Sequence, residues 1–416
     1  MTDPAAAGRR AVVTGISAMA PGGRGAEAFW RNVLEGRGAL GPVTHFDADE
    51  FPVRVVGEVF DDEVLPGVDP RLAVQTDRWS QFALLAAEEA LADSGARPET
   101  FSPFDLGVIT ASSSGGNAFG QREIEALWSK GPRHVGPYQS IAWFYAATTG
   151  QLSIRHGMKG VCGVTVGEQA GGLDAIAQAR RAVLHGDARL VLTGGAEAPL
   201  SPYALLCQTT SGRLSACADP ERAYLPFDAG ACGHVPGEGG ALLVVEDEDG
   251  ARARGAERPY GEIAGHAATF DPAPRGAAGP GHGALRRAVE LALADARVRP
   301  GEIGAVFADA AATPALDRAE ARCLAEVFGP AGVPVTAPKA GYGRLYAGGA
   351  PLDVVTALLA LRDQVIPPTG PGVVPDAAHR LDLVTEPREA ALRTALVIAR
   401  GYGGFNSALV VRAEPS

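Results

Sequence analysis

Val164-Thr-Val-Gly-Glu-Gln169-Ala-Gly-Gly-Leu-Asp174 reads as a strand, a sharp turn and the start of a helix. The strand-like run is Gly163–Val166, and a helical pattern begins near Gly171. Gly167 and Gly171 bracket the bend, where small residues permit a tight path. The central side chain of such a bend projects at a helix N-terminus, the layout of a nucleophile elbow. A thiol there would have its pKa lowered by the helix dipole. Gln169 offers only an amide, which donates and accepts hydrogen bonds and neither ionises nor attacks. An ordinary strand–turn–helix junction carries the same pattern, so this stretch alone leaves both readings open.

Outward from the elbow, Gly172–His185 places Leu173, Ile176, Ala177, Val183 and Leu184 along one helical face. Arg180 interrupts that face, and Gly186 stops the helix. Arg78–Asp93 repeats the pattern with Phe82, Leu85 and Leu91 and stops before Gly95. Short apolar runs predict buried strands at Ala11–Gly15, Leu106–Thr110, Leu190–Thr193, Ala241–Val245, Ala305–Phe307, Ala395–Ala399 and Ala408–Val411. Strands alternating with helices predict α/β architecture with covered sheets. Leu91-Ala-Asp followed by Arg97-Pro98 recurs as Leu293-Ala-Asp followed by Arg299-Pro300. The Gly-Gly before Leu173-Asp174 recurs as Gly348-Gly349 before Leu352-Asp353. Both echoes run in the same order, which predicts two similar halves, residues 1–250 and 251–416, meeting in the polar Glu246–Pro259 stretch. Chance matching of Ala/Leu-rich helices is the competing explanation.

With 416 residues, 46% hydrophobic and 20% charged, the chain has ample material for a core and is too apolar for disorder. Its formal net charge of −11 disfavours nucleic acid and anionic membrane as partners. A local basic patch facing an acidic carrier protein is compatible with it. The five cysteines (Cys162, Cys207, Cys217, Cys232, Cys323) are scattered and odd in number, so neither a disulfide framework nor a metal site is expected, and a reducing cytoplasm fits. The N-terminal stretch Met1–Arg10 has no apolar segment behind its arginines, and no run is long enough to span a bilayer.

Gly15 follows an N-terminal strand, but Ile16–Ala20 lacks the glycines of a dinucleotide fingerprint and Pro21 interrupts, so a turn is the reading. No P-loop, H-E-x-x-H, EF-hand or G-x-S-x-G pattern occurs. His134, His156 and His234 are read as solvated or core histidines, and Cys162 as a buried thiol.

The elbow resembles the active-site segment of β-ketoacyl synthases, with Gln169 in place of the catalytic cysteine. Val12-Val-Thr-Gly15 with Phe29-Trp30, Pro226-Phe-Asp228 with Gly237-Glu-Gly-Gly240, and Gly401-Tyr-Gly-Gly-Phe-Asn-Ser-Ala408 resemble other family segments, in order along almost the whole chain. The resemblance implies a thiolase-like fold, two duplicated α/β halves in a five-layered αβαβα arrangement. Departures carry as much meaning. The family's H-G-T-G-T-P-like segment reads Asp309-Ala-Ala-Ala-Thr-Pro314, with Asp309 at the first histidine position. Its K-x-x-x-G-H-like segment reads Lys339-Ala-Gly-Tyr-Gly-Arg344, with Arg344 at the second. Claisen condensation needs a thiolate to hold the acyl chain and neutral imidazoles to assist decarboxylation and stabilise the enolate. Asp309 would oppose that negative charge. Arg344 could attract a carboxylate but cannot cycle a proton near neutrality.

Gln169-Ala-Gly-Gly-Leu-Asp174, Glu197-Ala-Pro-Leu-Ser-Pro202, Arg222-Ala-Tyr-Leu-Pro-Phe227 and Trp143-Phe-Tyr145 are similar to one subfamily: the chain length factor, or ketosynthase β subunit, of bacterial type II polyketide synthases. The resemblance implies a cytoplasmic heterodimer with an active ketosynthase α subunit. Substrates would arrive on the phosphopantetheine of an acyl carrier protein, with no free cofactor, metal, nucleic acid or membrane. It also implies an interface tunnel lined by Asn117, Gly120 and Ile124, whose spacing shares one helical face. Gly120 lacks a side chain, which predicts a roomy tunnel unless neighbours refill the space. Gln169 is a candidate for malonyl decarboxylation in priming. Two other readings remain: a self-sufficient acyltransferase with another nucleophile, and a structural homodimer.

Overall fold

The computed structural model describes residues 9–60, 65–256, 258–272 and 281–414. Most of the Ala-rich N-terminal stretch, and residue 257 of the polar boundary stretch, lie outside the described residues.

The first half contributes strands β1 (Ala11–Ile16), β2 (Leu106–Ala111), β3 (Cys162–Thr165), β4 (Leu190–Glu197) and β5 (Gly239–Asp247). Its helices are α1 (Arg78–Ser94), α2 (Asn117–Lys130), α3 (Ala147–His156) and α4 (Gln169–His185). The second half contributes strands β6 (Gly261–Phe270), β7 (Ala305–Phe307), β8 (Pro334–Thr336), β9 (Thr394–Arg400) and β10 (Phe405–Arg412). Its helices are α5 (Gly283–Ala296), α6 (Pro314–Phe328) and α7 (Gly349–Asp363). The first sheet has the order β1-β5-β4-β2-β3 and the second the order β6-β10-β9-β7-β8. In each, the first two pairings are antiparallel and the last two parallel. The expected duplication is therefore a duplication of topology. An antiparallel pairing of β1 with β6, Val12 opposite Glu262, joins the two sheets edge to edge.

The helices α4 and α7 lie between the sheets, packed on each other. Almost every residue of α7 from Gly349 to Leu361 is buried, as expected of a helix covered on all sides. Gly172 makes the close crossing possible, because a Cβ there would lie 2.5 Å from Pro351 Cδ. Outside the sheets, α1 and α3 cover the first and α5 with α6 the second. The core follows these layers. One cluster fills the space around α4 and α7, with Leu173, Ile176, Leu352 and Val355. Another lies beneath α5, with Val289 and Leu293, and a third beneath α1, with Phe82 and Leu85.

Gly15 is not in a turn. It lies inside β1 at a register shift between Val13 and Gly15, where a Cβ would strike the Ala90 carbonyl of α1. Gly265 repeats the arrangement in β6: the register shifts between Ile263 and Gly265, and a Cβ would meet the Ala292 carbonyl of α5. A bulge and a bare backbone let each outer helix seat closely on its sheet. No helix among the described residues is long and apolar enough to cross a membrane.

Candidate functional site

The elbow forms where the sequence placed it, with Glu168 and not a glycine in the left-handed turn. Strand β3 ends at Thr165, Glu168 turns with φ 51° and ψ −136°, and Gln169 is the first residue of α4. Gln169 is fully buried. The first residue of α7, Gly349, lies against it: a Cβ there would be 3.2 Å from Gln169 Oε1.

Asp309 and Arg344 converge on this residue. Asp309 follows β7, and Arg344 sits five residues before α7. The Gln169 amide donates from Nε2 to Asp309 Oδ1 at 3.3 Å, and Arg344 Nη2 donates to the same oxygen at 3.1 Å. The Arg400 backbone N–H donates to it too, at 2.8 Å. Arg344 Nε reaches Glu168 Oε1 at 3.1 Å, and its Nη groups also donate to the Asp309 and Arg400 carbonyls. The second oxygen of Glu168 accepts from Tyr402 N at 2.6 Å. The guanidinium fork therefore already holds two carboxylates. This is a bonded network, one guanidinium shared by two carboxylates, in place of a catalytic set.

The electrostatics agree. Burial works to raise the Asp309 pKa, but the positive charges of Arg344 and Lys339 and the Arg400 N–H outweigh it and hold the carboxyl below its usual range. Arg344 is desolvated, yet Asp309 and Glu168 keep it well above its ordinary value. Neither group titrates near neutrality, so neither can serve as the acid or base that a histidine would. Gln169 Oε1 has no hydrogen-bond donor among the described residues.

The loop after Asp309 is tethered from two sides. Glu320 of α6 accepts from the Asp309 and Ala310 N–H groups at 2.8 and 3.0 Å, and Tyr224 Oη donates to the Ala310 carbonyl. Burial pushes the Glu320 carboxyl up to about 7, with Asp309 adding like-charge repulsion. Ala310 and Ala312 both adopt φ 53°, a left-handed conformation that favours glycine.

A cleft of about 1150 Å³ opens from this network, lined among others by Glu168, Asp309 and Arg344 and, further out, by Asn117, Trp143 and Tyr145. Asn117 begins α2 and lines the cleft; Gly120 is buried on the same helix; Ile124 is half exposed. A Cβ on Gly120 would lie 2.8 Å from Trp143 Cδ1, so an indole fills the place that the missing side chain leaves. Buried Glu197, at the end of β4, holds the segment leading into α2 by accepting from Ser113 N and, at 3.1 Å, from Ser114 Oγ. Asp77 does the same one turn on, accepting from Phe119 N at 2.6 Å. Sequence reading quoted Glu197 and Trp143 only as parts of family-like segments, and gave no role to either or to Glu168. Glu168 adjoins Gln169, and a lone charge between small and apolar residues at the elbow was its one signal.

The other reactive side chains sit elsewhere or are unsuited. Cys162 is exposed on the outer edge of β3 rather than buried as expected, because β3 pairs only with β2 among the described residues. Cys207 is exposed in the cleft. His134 is exposed, and His156 is partly buried, which lowers its pKa. His234 lines the cleft between the Tyr224 and Tyr346 rings, and burial pushes it well below its ordinary pKa, so it is neutral. His266, Asp174 and Ser407 lie in mutual contact at 2.8–3.1 Å, but one ring nitrogen, Nε2, meets both partners, so no proton relay across the ring exists.

Residues 8–251 match the model of the beta-ketoacyl synthase N-terminal domain, and residues 260–372 that of the C-terminal domain. The chain belongs to the β-ketoacyl synthase family. It is 56% identical over 405 residues to the tetracenomycin polyketide synthase ketoacyl synthase beta subunit of Streptomyces glaucescens, spanning 96% of this chain and 98% of that one. To the actinorhodin polyketide putative beta-ketoacyl synthase 2 of Streptomyces coelicolor it is 51% identical, with the same coverage. Within the family it therefore falls with the ketosynthase β subunits. The ishigamide ketosynthase/chain length factor superposes with a TM-score of 0.90 at 25% identity, covering 98% of this chain and 100% of that one. A ketosynthase solved in complex with its type II acyl-carrier protein gives 0.87 at 26%, covering 97% and 99%. The fold is the thiolase-like one that the sequence implied.

Proposed function

We propose that this chain is the non-condensing subunit of a type II polyketide synthase. It pairs with an active ketosynthase α, bounds product length in a tunnel at their interface, and works in the cytoplasm on chains carried by acyl carrier protein. The observation that carries the reading is the Gln169–Asp309–Arg344–Glu168 network: its side chains are bonded to one another and offer neither a nucleophile nor a neutral imidazole. Pairing is supported by two features of the surface. The outer edge of β3 has no partner strand among the described residues, and α2 exposes Ile124, Leu127 and Trp128 along one face. An α subunit would supply the cysteine and both imidazoles.

The test is intact-mass analysis of the reconstituted pair after incubation with malonyl- and acyl-loaded carrier protein. The α subunit should carry the acyl adduct and this chain none. An adduct on this chain, for which Cys207 in the cleft is the first residue to inspect, would establish the self-sufficient acyltransferase reading instead.

A second role concerns priming. The Gln169 NH2 gives one hydrogen to Asp309 and retains another, the kind of donor that stabilises an enolate oxyanion during malonyl decarboxylation. On this reading Gln169→Ala lowers acetyl-carrier formation by on the order of 100-fold, the usual cost of one such donor. Unchanged acetyl-carrier formation and priming would leave Gln169 a structural member of the network.

A further inference from the structure

We infer that Trp143 is the side chain that sets the tunnel wall beside Gly120, so that wall depth is read from the indole and not from residue 120. The inference rests on the tunnel reading proposed above. Gly120 is buried, and a Cβ on it would lie 2.8 Å from Trp143 Cδ1 and 3.3 Å from Nε1. Real Cβ atoms do not sit that close, so a side chain at 120 and the indole in its present position exclude each other. The glycine is a seat for a ring. Close packing makes the two residues one unit, with a bare backbone on the helix and bulk delivered from the neighbouring segment.

The start of that side chain is fixed. The Trp143 N–H donates to the Gln139 carbonyl at 3.2 Å, and its carbonyl accepts from Gly116 N at 3.2 Å. The preceding carbonyl, of Ala142, accepts from the buried Trp79 indole at 3.4 Å. These bonds involve only the main chain of the segment, so they survive replacement of the indole. The indole rests against Gly120, and Trp143 as a whole is 47% exposed and lines the same cleft as Asn117 and Tyr145. A rigid aromatic whose root is pinned and whose face is half open makes a wall of defined depth at small entropic cost.

The experiment is product analysis by mass spectrometry on the reconstituted α-subunit pair, with assembly checked by size-exclusion chromatography. Trp143→Ala should shift the dominant polyketide to a longer chain. Adding Gly120→Leu to Trp143→Ala should bring the length back, because leucine then occupies the vacated space. Gly120→Ala should alter length only while the indole is present, a non-additive pair. If Trp143→Ala fails to assemble, Trp143→Phe, which keeps an aromatic contact but less depth, is read in the same way. An unchanged or shorter product from an assembled variant overturns the inference. Asn117→Phe separates this from failure of the tunnel itself: if it shortens the product while Trp143→Ala does nothing, only the role of Trp143 is lost. If neither moves product length, the tunnel reading falls as well.

Discussion

Three substitutions that look independent along the chain are one structural event at the level of side chains. Gln169, Asp309 and Arg344 lie 140 and 35 residues apart, yet a single oxygen, Asp309 Oδ1, accepts from both of the others. By resemblance, sequence reading set these three at the positions of the family's cysteine and two histidines. It did not show that these residues bond to one another, nor that Glu168 shares the Arg344 guanidinium, because pairing across such separations is set by the fold. Restoring the nucleophile alone is therefore expected to do nothing: Gln169→Cys should leave condensation at background in the isolated chain, since no neutral imidazole stands at 309 or 344. Measurable condensation by that variant would refute the view that the network stands in place of a catalytic set. Removing one member of the buried ion pair is a different perturbation. Asp309→Ala takes from Gln169 Nε2, Arg344 Nη2 and the Arg400 N–H their shared acceptor, and breaking a buried pair in this way costs about 3–5 kcal/mol. Chemical denaturation of the variant against the parent measures it, and a loss below about 1 kcal/mol would mean that water or Glu168 compensates.

The elements around the site were unequally legible. β1, β2, β4, β5, β7, β9 and β10 announced themselves as apolar runs, and α1 and α4 by their periodicity. The ten-residue β6 did not, because Gly-Glu-Ile-Ala-Gly-His-Ala-Ala-Thr-Phe alternates small and polar residues, and only its first half is buried. Strand β8, three residues behind a proline, is too short to carry a pattern. The loop after β7 shows what position adds to composition. An alanine-rich stretch carries no local signal for left-handed backbone, yet Ala310 and Ala312 both stand at φ 53°, held by Glu320, Tyr224 and the bond from Gly233 N to the Ala312 carbonyl. An L-residue in this region bears strain of about 1–2 kcal/mol. Glycine relieves it while giving back about 0.4–1 kcal/mol through the freer unfolded chain. Ala310→Gly and Ala312→Gly should each raise stability by about 0.5–1 kcal/mol on balance. Melting curves check this, and a destabilised glycine variant would mean that the loop relaxes at no cost when alanine is present.

At the scale of the whole molecule, the duplication was legible in part and for a mixed reason. The Leu-Ala-Asp echoes do mark equivalent helix ends, since α1 and α5 are each followed by a short turn at Pro98 and Pro300 and then by a strand. The better witness is the pair Gly15 and Gly265, equivalent bulges against equivalent helices, which is invisible until the register is known. The two halves nevertheless differ where partnership is concerned. The outer edge of the second sheet is extended by Asp382–Leu383 beside β8, whereas β3 at the outer edge of the first has no further strand among the described residues. Next to β3 in the sheet runs β2, which leads through residues 112–116 into α2, with Trp128 82% exposed. An aromatic so placed contributes little to the fold of the chain itself, and replacing it should move the stability by no more than about 0.5 kcal/mol. If this face meets the α subunit, the same indole is a candidate anchor, and losing an anchor costs about 2 kcal/mol or more, roughly 30-fold in affinity. Trp128→Glu should therefore leave the melting temperature of the isolated chain unchanged while weakening its association with the α subunit by about that factor in calorimetric titration. Undiminished affinity would move the interface away from α2. A fall in melting temperature alone would make Trp128 a residue of the fold.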